Sequence, residues 1–454
     1  MTFASTQIAS FAARFNDALL TEKQRHQSYR ALLDTFAVAV AGQHDDAPRI
    51  AREYVQPVAG CGDAIAWCTG ELLPPESAAW LNGIVAHVLD YDDVMTPMRG
   101  HISVALVPAL AALAPMTGAD GKRYSAAYIA GFEVLSKFSR VMVLPHYSKG
   151  WHSTSALGVL GATVSCCVLL GLNETQIAHA LGIAVAQASG SRQNFGTMSK
   201  SFQAGHCASA AVRSALLARA GFTSAPDAID GKCGYQALYA ERESLTEVLD
   251  SLGKQPLDID TVGIDIKKYP CCFGTHKALD AVLGLRREHS LTLNQVRNVE
   301  IISSAHGLES LLYTRPKTGL EGKFSMEYVT AAALLDGSIR LSSFEDAQVM
   351  RPAVQAFLPN VTTREADGPT LPRWATAVVH LKNNKKLEKR IDIGRGDSGD
   401  PLSDDEVTAK VEDCFSFAGC KWDARQFANQ VYGMTTRNVG ELLAGLHGPQ
   451  ATTR

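Results

Sequence analysis

Apolar residues recur at helical spacing through most of the first half of the chain: RALLDTFAVAVAG (30–42), AAWLNGIVAHVLDYDD (78–93), SVALVPALAALAPM (103–116), YSAAYIAGFEVLSKFSRVM (124–142) and CASAAVRSALLARAG (207–221). Many of these segments are rich in alanine, and small residues let helix axes approach closely. The pattern therefore predicts a large all-α domain with several fully buried helices. Gly42, Gly171 and Gly221 stand where such helices should stop. That much interior helix needs a long chain, and 454 residues with 46% hydrophobic content supply it.

The pattern changes near Asp258. QVRNVEIISSAH (295–306) and WATAVVHLKNNKKLEKRIDI (374–393) alternate with β-branched residues, and Asn383-Asn384 marks a hairpin turn within the second. SMEYVTAAALLDG (325–337) and the stretch from Phe344 to Phe357 between them are helical. Strand, helix, helix, strand, strand describes a smaller α+β domain. After the polar run GRGDSGDPLSDDEV (394–407), helical spacing returns in VTAKVEDCFSF and RQFANQVYGM. The expected division is residues 1–260 in the all-α domain, 261–395 in the α+β domain, and 396–454 returning to the first. No repeat at a solenoid period is present.

Charge excludes some partners. Lys plus Arg number 43 and Asp plus Glu 46, which leaves no basic field for nucleic acid. MTFASTQIASFAARFNDALL, broken by Asn16 and Asp17, lacks the apolar core of a signal peptide and reads as the first helix of a cytoplasmic protein. The ten cysteines lie mostly in apolar runs and form no CxxC pair, as buried free thiols do. STSALGVLGATVSCCVLLGL (153–172) has the length of a membrane span, but its Ser, Thr and glycines and its missing basic flanks suit a buried helix better. No membrane partner is expected.

The chemistry concentrates at helix ends. LDYDDVMTPMRGH (89–101) places three carboxylates, one arginine and one histidine between two apolar segments. On a helix ending near Asp93, Asp90 and Asp93 would share a face while Asp92 points elsewhere. Magnesium for a diphosphate substrate would need a second cluster of oxygen ligands and an aromatic cavity; no second Asp-rich helix appears and aromatics are 7%. No metal is expected. GWHSTSALG puts His152 at the start of a buried helix, where the dipole favours a neutral ring. SRQNFGTMSKSFQAGHCASA (191–210) sets Lys200 between Gly196 and Gly205 with Arg192 nearby, and IKKYPCCFGTHKALDA (266–281) sets Lys268 before His276 at a helix start. A basic residue, a glycine and a helix N-terminus together make an anion site.

LNGIVAHVLDYDD…GHISVALVPALAAL, YIAGFEV…GWHSTSALGVLGA, NFGTMSKSFQAG, KKYPCCFGTH and KFSMEYVTAAALLDG, in this order from about Leu32 to Lys410, resemble the MmgE/PrpD family. That family includes 2-methylcitrate dehydratase, cis-aconitate decarboxylase and iminodisuccinate epimerase. The resemblance implies a large all-α domain, a smaller α+β domain of chorismate-mutase-like topology, a homodimer, no cofactor, and an active site at the domain junction. By similarity to the decarboxylase branch, active-site positions fall on Asp90, His101, His152, Lys200, Lys268 and His276. The chain departs from the family at Val94, where threonine is common, at Ile102 in Gly-His-Ile-Ser, and at Ser201-Phe202-Gln203 after Lys200.

The resemblance implies proton removal α to a carboxylate, which needs fixed cations where negative charge develops; Lys200, Lys268 and Arg99 are the candidates. His101 and His152 fit the acid and the base, in an order left open. Asp90 would orient one imidazole and His276 bind a carboxylate. Tyr147 and Arg192 are further substrate contacts, and Arg315 and Lys323 reach the site or a partner subunit. The expected activity is dehydration of a small hydroxy di- or tricarboxylic acid. Epimerisation of an amino- or imino-dicarboxylate and decarboxylation are alternatives within the family, and a carboxylate-binding protein without turnover is the alternative outside it. Adjacent pairs such as Cys271-Cys272 lack the spacing an iron-sulfur cluster takes.

Overall fold

The computed structural model describes residues 2–67, 69–240 and 245–444. We number only the elements that position the site. In the first half these are α1 (Glu22–Gly42), α2 (Pro75–His87), α3 (Ser103–Thr117), α4 (Gly121–Ser148), α5 (Ser153–Ala156), α6 (Gly158–Leu170) and α7 (Met198–Arg219). One apolar core joins these helices apart from the short α5, and residues between Leu402 and Leu443 belong to it. The chain therefore returns to the first core, with α10 (Asp404–Phe417) lying against α1. The stretch Ser153–Leu170 is 89% buried inside the protein, which accounts for its membrane-like composition.

Glycine sets the spacing at the crossing that matters most. A Cβ on Gly205 would lie 2.3 Å from Trp80 O, and one on Gly83 would lie 2.8 Å from Gly205 Cα. Only hydrogen fits between α2 and α7 there. The close crossing brings His87 at the end of α2 beside Lys200 in the first turn of α7. Gly171 and Gly221 end their helices at positive φ, as expected, whereas Gly42 is the last residue of α1 and its missing side chain makes room for Val85 O.

A second core spans Tyr269 to Leu387. Here α8 (His276–Glu288) and α9 (Met326–Asp336) pack against a sheet in the order β2-β1-β3-β4, with β1 Val296–Ser303, β2 Val361–Glu365, β3 Ala375–Leu381 and β4 Lys386–Ile391. The β1–β2 pair is parallel and the other two are antiparallel, the β3–β4 hairpin turning at Asn384 with φ 66°. The parallel edge strand β2 is absent from the strand order read off the sequence. Its burial pattern is the reason: only Val361 of its five residues is buried, so no alternation marks it. The helical core and this α+β core meet at the cleft described next.

Candidate active site

The helix α2 stops at His87, and the next residues do not continue it. Asp90 adopts φ 52°, a left-handed conformation that aspartate tolerates better than most residues. This reversal corrects the helical reading of Asp90 and Asp93: Asp90 and Asp92 turn into one cluster, while Asp93 turns away to accept from Ser103 N at 3.0 Å. Burial, with Asp34 nearby, pushes Asp93 up to about 8, so it is a neutral acid that serves packing.

Three lysines from the later chain hold the reversal in place. Lys323 donates to Leu89 O at 2.6 Å, Lys267 to Asp90 O at 2.7 Å and Lys410 to Tyr91 O at 2.8 Å. Carbonyls past a helix end lack partners and sit at its negative pole, so ammonium groups satisfy both demands. Each lysine comes from a different segment, so the loop takes its shape only when the two cores are assembled.

The carboxylate of Asp90 faces three cations or potential donors: Lys200 Nζ at 2.6 Å, Lys267 Nζ at 2.9 Å and His101 Nε2 at 3.3 Å. Burial would raise its pKa, but Lys200 and Lys267 hold it well below the usual carboxylate range. Asp92 lies 2.9 Å from the Nδ1 atoms of both His87 and His101, and these two rings keep it ionised against burial. His87 receives Lys200 Nζ at 2.7 Å on its other nitrogen. Burial, reinforced by Lys200 and opposed by Asp92, pulls His87 down to about 4, which leaves it a neutral relay.

His152 begins α5 and is fixed differently. Gln203 donates its amide nitrogen to Ser191 O at 3.0 Å, which turns its carbonyl oxygen to His152 Nδ1 at 2.8 Å. A carbonyl can only accept, so Nδ1 carries the proton and Nε2 carries a lone pair. That buried Nε2 has no hydrogen-bond partner among the described residues. Burial, then Lys200 and His87, hold His152 well below its ordinary value. His152 is thus a neutral ring with a free basic nitrogen in a cleft also lined by Asp90, Arg99, His101, Tyr147 and Lys200. Both nitrogens of His101, by contrast, lie within ion-pair distance of carboxylates, Nδ1 without hydrogen-bond alignment among the described residues.

Other sequence candidates lie elsewhere. Lys268 turns out to solvent, its side chain 41% exposed and paired with Asp280 at 3.1 Å, whereas the Lys267 side chain is 0% exposed on Asp90. The assignment of the site lysine to Lys268 is therefore corrected by one residue. His276 starts α8 and is buried between the rings of Tyr269 and Phe273, outside the cleft lining. Arg315 is exposed and also outside it. Arg192 stands at the cleft's edge, stacked on Tyr147 with 4.0 Å from Cζ to the ring centroid. Reading the sequence missed His87, Asp92, Lys267, Gln203 and Arg373 as parts of this region. His87 and Lys267 stood within the motifs quoted above, but only burial separates them from their neighbours.

His87, Asp92 and His101 offer donor atoms within 4.8 Å of one another. They do not suit a resident metal. His87 Nδ1 is hydrogen-bonded to Asp92 at 2.9 Å and the Lys200 ammonium occupies its remaining nitrogen, which leaves that ring no lone pair to offer.

Substitution separates the two adjacent lysines. Lys267→Met leaves Asp90 short of a buried partner and is expected to cost about 3–5 kcal/mol, against under about 1 kcal/mol for Lys268→Ala, whose ion pair is exposed. Chemical denaturation of the two variants measures the difference.

A neutral histidine ring with a lone pair in the cleft, a histidine between carboxylates and buried lysines lie together where the helical and α+β cores meet, an arrangement chemically able to move protons. Sequence comparison supplies the family. Residues 6–247 match the MmgE/PrpD N-terminal domain and residues 269–431 the MmgE/PrpD C-terminal domain, and the chain belongs to the MmgE/PrpD family. It is 28% identical over 411 residues to cis-aconitate decarboxylase of Homo sapiens, an alignment covering 86% of this chain and 83% of that one. The enzyme of the same name in Mus musculus is 28% identical over 413 residues, covering 86% and 82%. That of Aspergillus terreus is 26% identical over 322 residues, covering 66% and 65%.

Proposed function

We propose that this protein is a cofactor-independent lyase that removes a proton α to a carboxylate of a small hydroxy acid and expels water. The observation that carries this reading is the tautomer of His152: Gln203 fixes the proton on Nδ1 and leaves Nε2 as a base. In the reaction Nε2 takes the α proton, and the electron pair left on carbon spreads into the adjacent carboxylate. Lys200 stands in the cleft to bind the charge that develops there. As the carbon–carbon double bond forms, the carbon–oxygen bond breaks, and His101 delivers a proton to the departing hydroxyl. The products are an unsaturated acid and water. Asp90 and Asp92 orient His101 throughout; the proton held by His152 returns to solvent and His101 takes one back from solvent, which restores both rings.

A second reading is decarboxylation, supported by the relatives named as cis-aconitate decarboxylases. There His101 would protonate carbon as CO₂ leaves. Epimerisation, a third, would return a proton to the opposite face of the same carbon. A homodimer, cytoplasmic location and a chorismate-mutase-like topology of the smaller domain belong to the same proposal. Incubation with citrate, 2-methylcitrate, cis-aconitate, malate and iminodisuccinate, followed by mass spectrometry and polarimetry, tests it. Loss of water is expected; loss of CO₂, or optical inversion at constant mass, would replace dehydration by one of the alternatives.

The pH profile gives an independent check. His152 acts when deprotonated, so activity falls as pH drops through its pKa. Because that pKa is held well below 6.5, the acid limb of kcat/KM is expected below pH 6.5. A limb centred above 6.5 would assign the base to another group.

A further inference from the structure

The wall of the cleft carries more positive charge than the protein neutralises. The Tyr147 ring lies between Arg99 and Arg192, each with Cζ 4.0 Å from the centroid. Arg373 lines the same cleft and makes neither a hydrogen bond nor an ion pair among the described residues. Against these three guanidinium groups, the one carboxylate within ion-pair distance among the described residues is Glu309, at 2.9 Å from Arg99 Nη1. Its other oxygen faces His306 Nδ1 at 2.7 Å.

The pairing is incomplete. The Arg99 side chain is only 6% exposed, yet Nη1 meets Glu309 without hydrogen-bond alignment, and the buried Nε of Arg192 has no acceptor among the described residues. Other nitrogens of the two reach main-chain carbonyls, Arg99 Nη2 that of His306 at 2.7 Å and Arg192 Nη1 that of Glu309 at 3.1 Å. These bonds hold the guanidinium planes in place while leaving donors unused. Buried guanidinium donors without acceptors are costly unless an anion completes them. Arg373 itself is half-buried, and burial and the neighbouring Arg99 pull it down to about 10 against the opposing pull of Tyr147 and Glu309.

We propose that Arg99, Arg192 and Arg373 form a subsite for a second carboxylate of the substrate, part of which Glu309 occupies until that carboxylate arrives. The inference rests on the carbon-acid reading above and deepens it: the substrate carries one carboxylate at the reacting carbon and another at the arginines. Arg99 and Arg373 also line a neighbouring cavity with Thr96, Pro97, Arg140 and Leu371. Two of the three arginines are thus shared between the cleft and this cavity, a basic surface that favours capture of anions.

Calorimetric titration with three unreactive acids tests the subsite: butyrate, glutarate and tricarballylate. Wild type should bind tricarballylate more tightly than butyrate. Arg373→Gln should weaken tricarballylate by about 10- to 100-fold and leave butyrate unchanged, the loss of one charged hydrogen-bonded contact. Glu309→Gln should tighten tricarballylate binding, because it removes the internal competitor. Equal effects on butyrate and tricarballylate, or weaker binding in Glu309→Gln, would overturn the proposal. If Arg373→Gln fails to fold, as judged by its melting curve, Glu309→Gln decides alone. Charge-dependent binding that follows the prediction, with no turnover of any acid, would keep the subsite and refute the proposed reaction instead.

Discussion

Glutamine in place of His152 lowers kcat by about 10²- to 10⁴-fold, the usual contribution of a positioned general base, and leaves the protein folded. Burial and Lys200 already keep His152 neutral, so the substitution exchanges one uncharged polar group for another and strands no charge. A stopped assay at saturating substrate, paired with thermal unfolding, separates lost chemistry from lost structure. Retention of activity within tenfold of wild type would place the base elsewhere in the cleft.

Asparagine in place of Asp90 has an expected effect on stability as large as that of Lys267→Met. Asp90 is 2% exposed and is shared by Lys200 and Lys267 at 2.6 and 2.9 Å. Removing its charge leaves two buried ammonium groups facing an amide, at a cost of about 3–5 kcal/mol. Backbone strain does not enter, because asparagine accepts the φ of 52° at least as well as aspartate. Asp93→Asn is the matched control. Asp93, pushed up to about 8, is already protonated at neutral pH, so its amide should cost under about 1 kcal/mol. Urea denaturation at pH 7 compares the two, and equal losses would show that charge is not what makes Asp90 important. Turnover should fall with Asp90→Asn as well, since Lys200 and His101 lose the group that aims them.

The helical half was legible because its segments obey a period that burial enforces over many turns. The smaller domain was legible where both faces of a strand differ or both are buried, as in Ala375–Leu381, and not in the edge strand Val361–Glu365. The site divides in the same physical way. His152, Lys200 and His101 stand beside helix starts or glycine turns, signals that survive in one dimension. The choice between Lys267 and Lys268 depends on which side of an irregular segment faces Asp90, and no period exists there to read. His87 occupies a helical position indistinguishable by spacing from a core residue; the Gly83–Gly205 crossing is what makes it meet Lys200. Asp92 joined the cluster only because Asp90 reverses the chain before it. Arg373, distant in sequence from every motif, reaches the cleft through the packing of the two cores.

The central claim is that His152 removes a proton from carbon. Solvent deuterium incorporation, followed by NMR in D₂O with the acids named above and with wild type and His152→Gln in parallel, tests it most directly. The account predicts deuterium entering the carbon next to a carboxylate with wild type and at least about 100-fold more slowly with the variant, in proportion to lost turnover. Exchange at the same rate in both proteins, or product formed by wild type without any carbon exchange or carbon–hydrogen isotope effect, would contradict it.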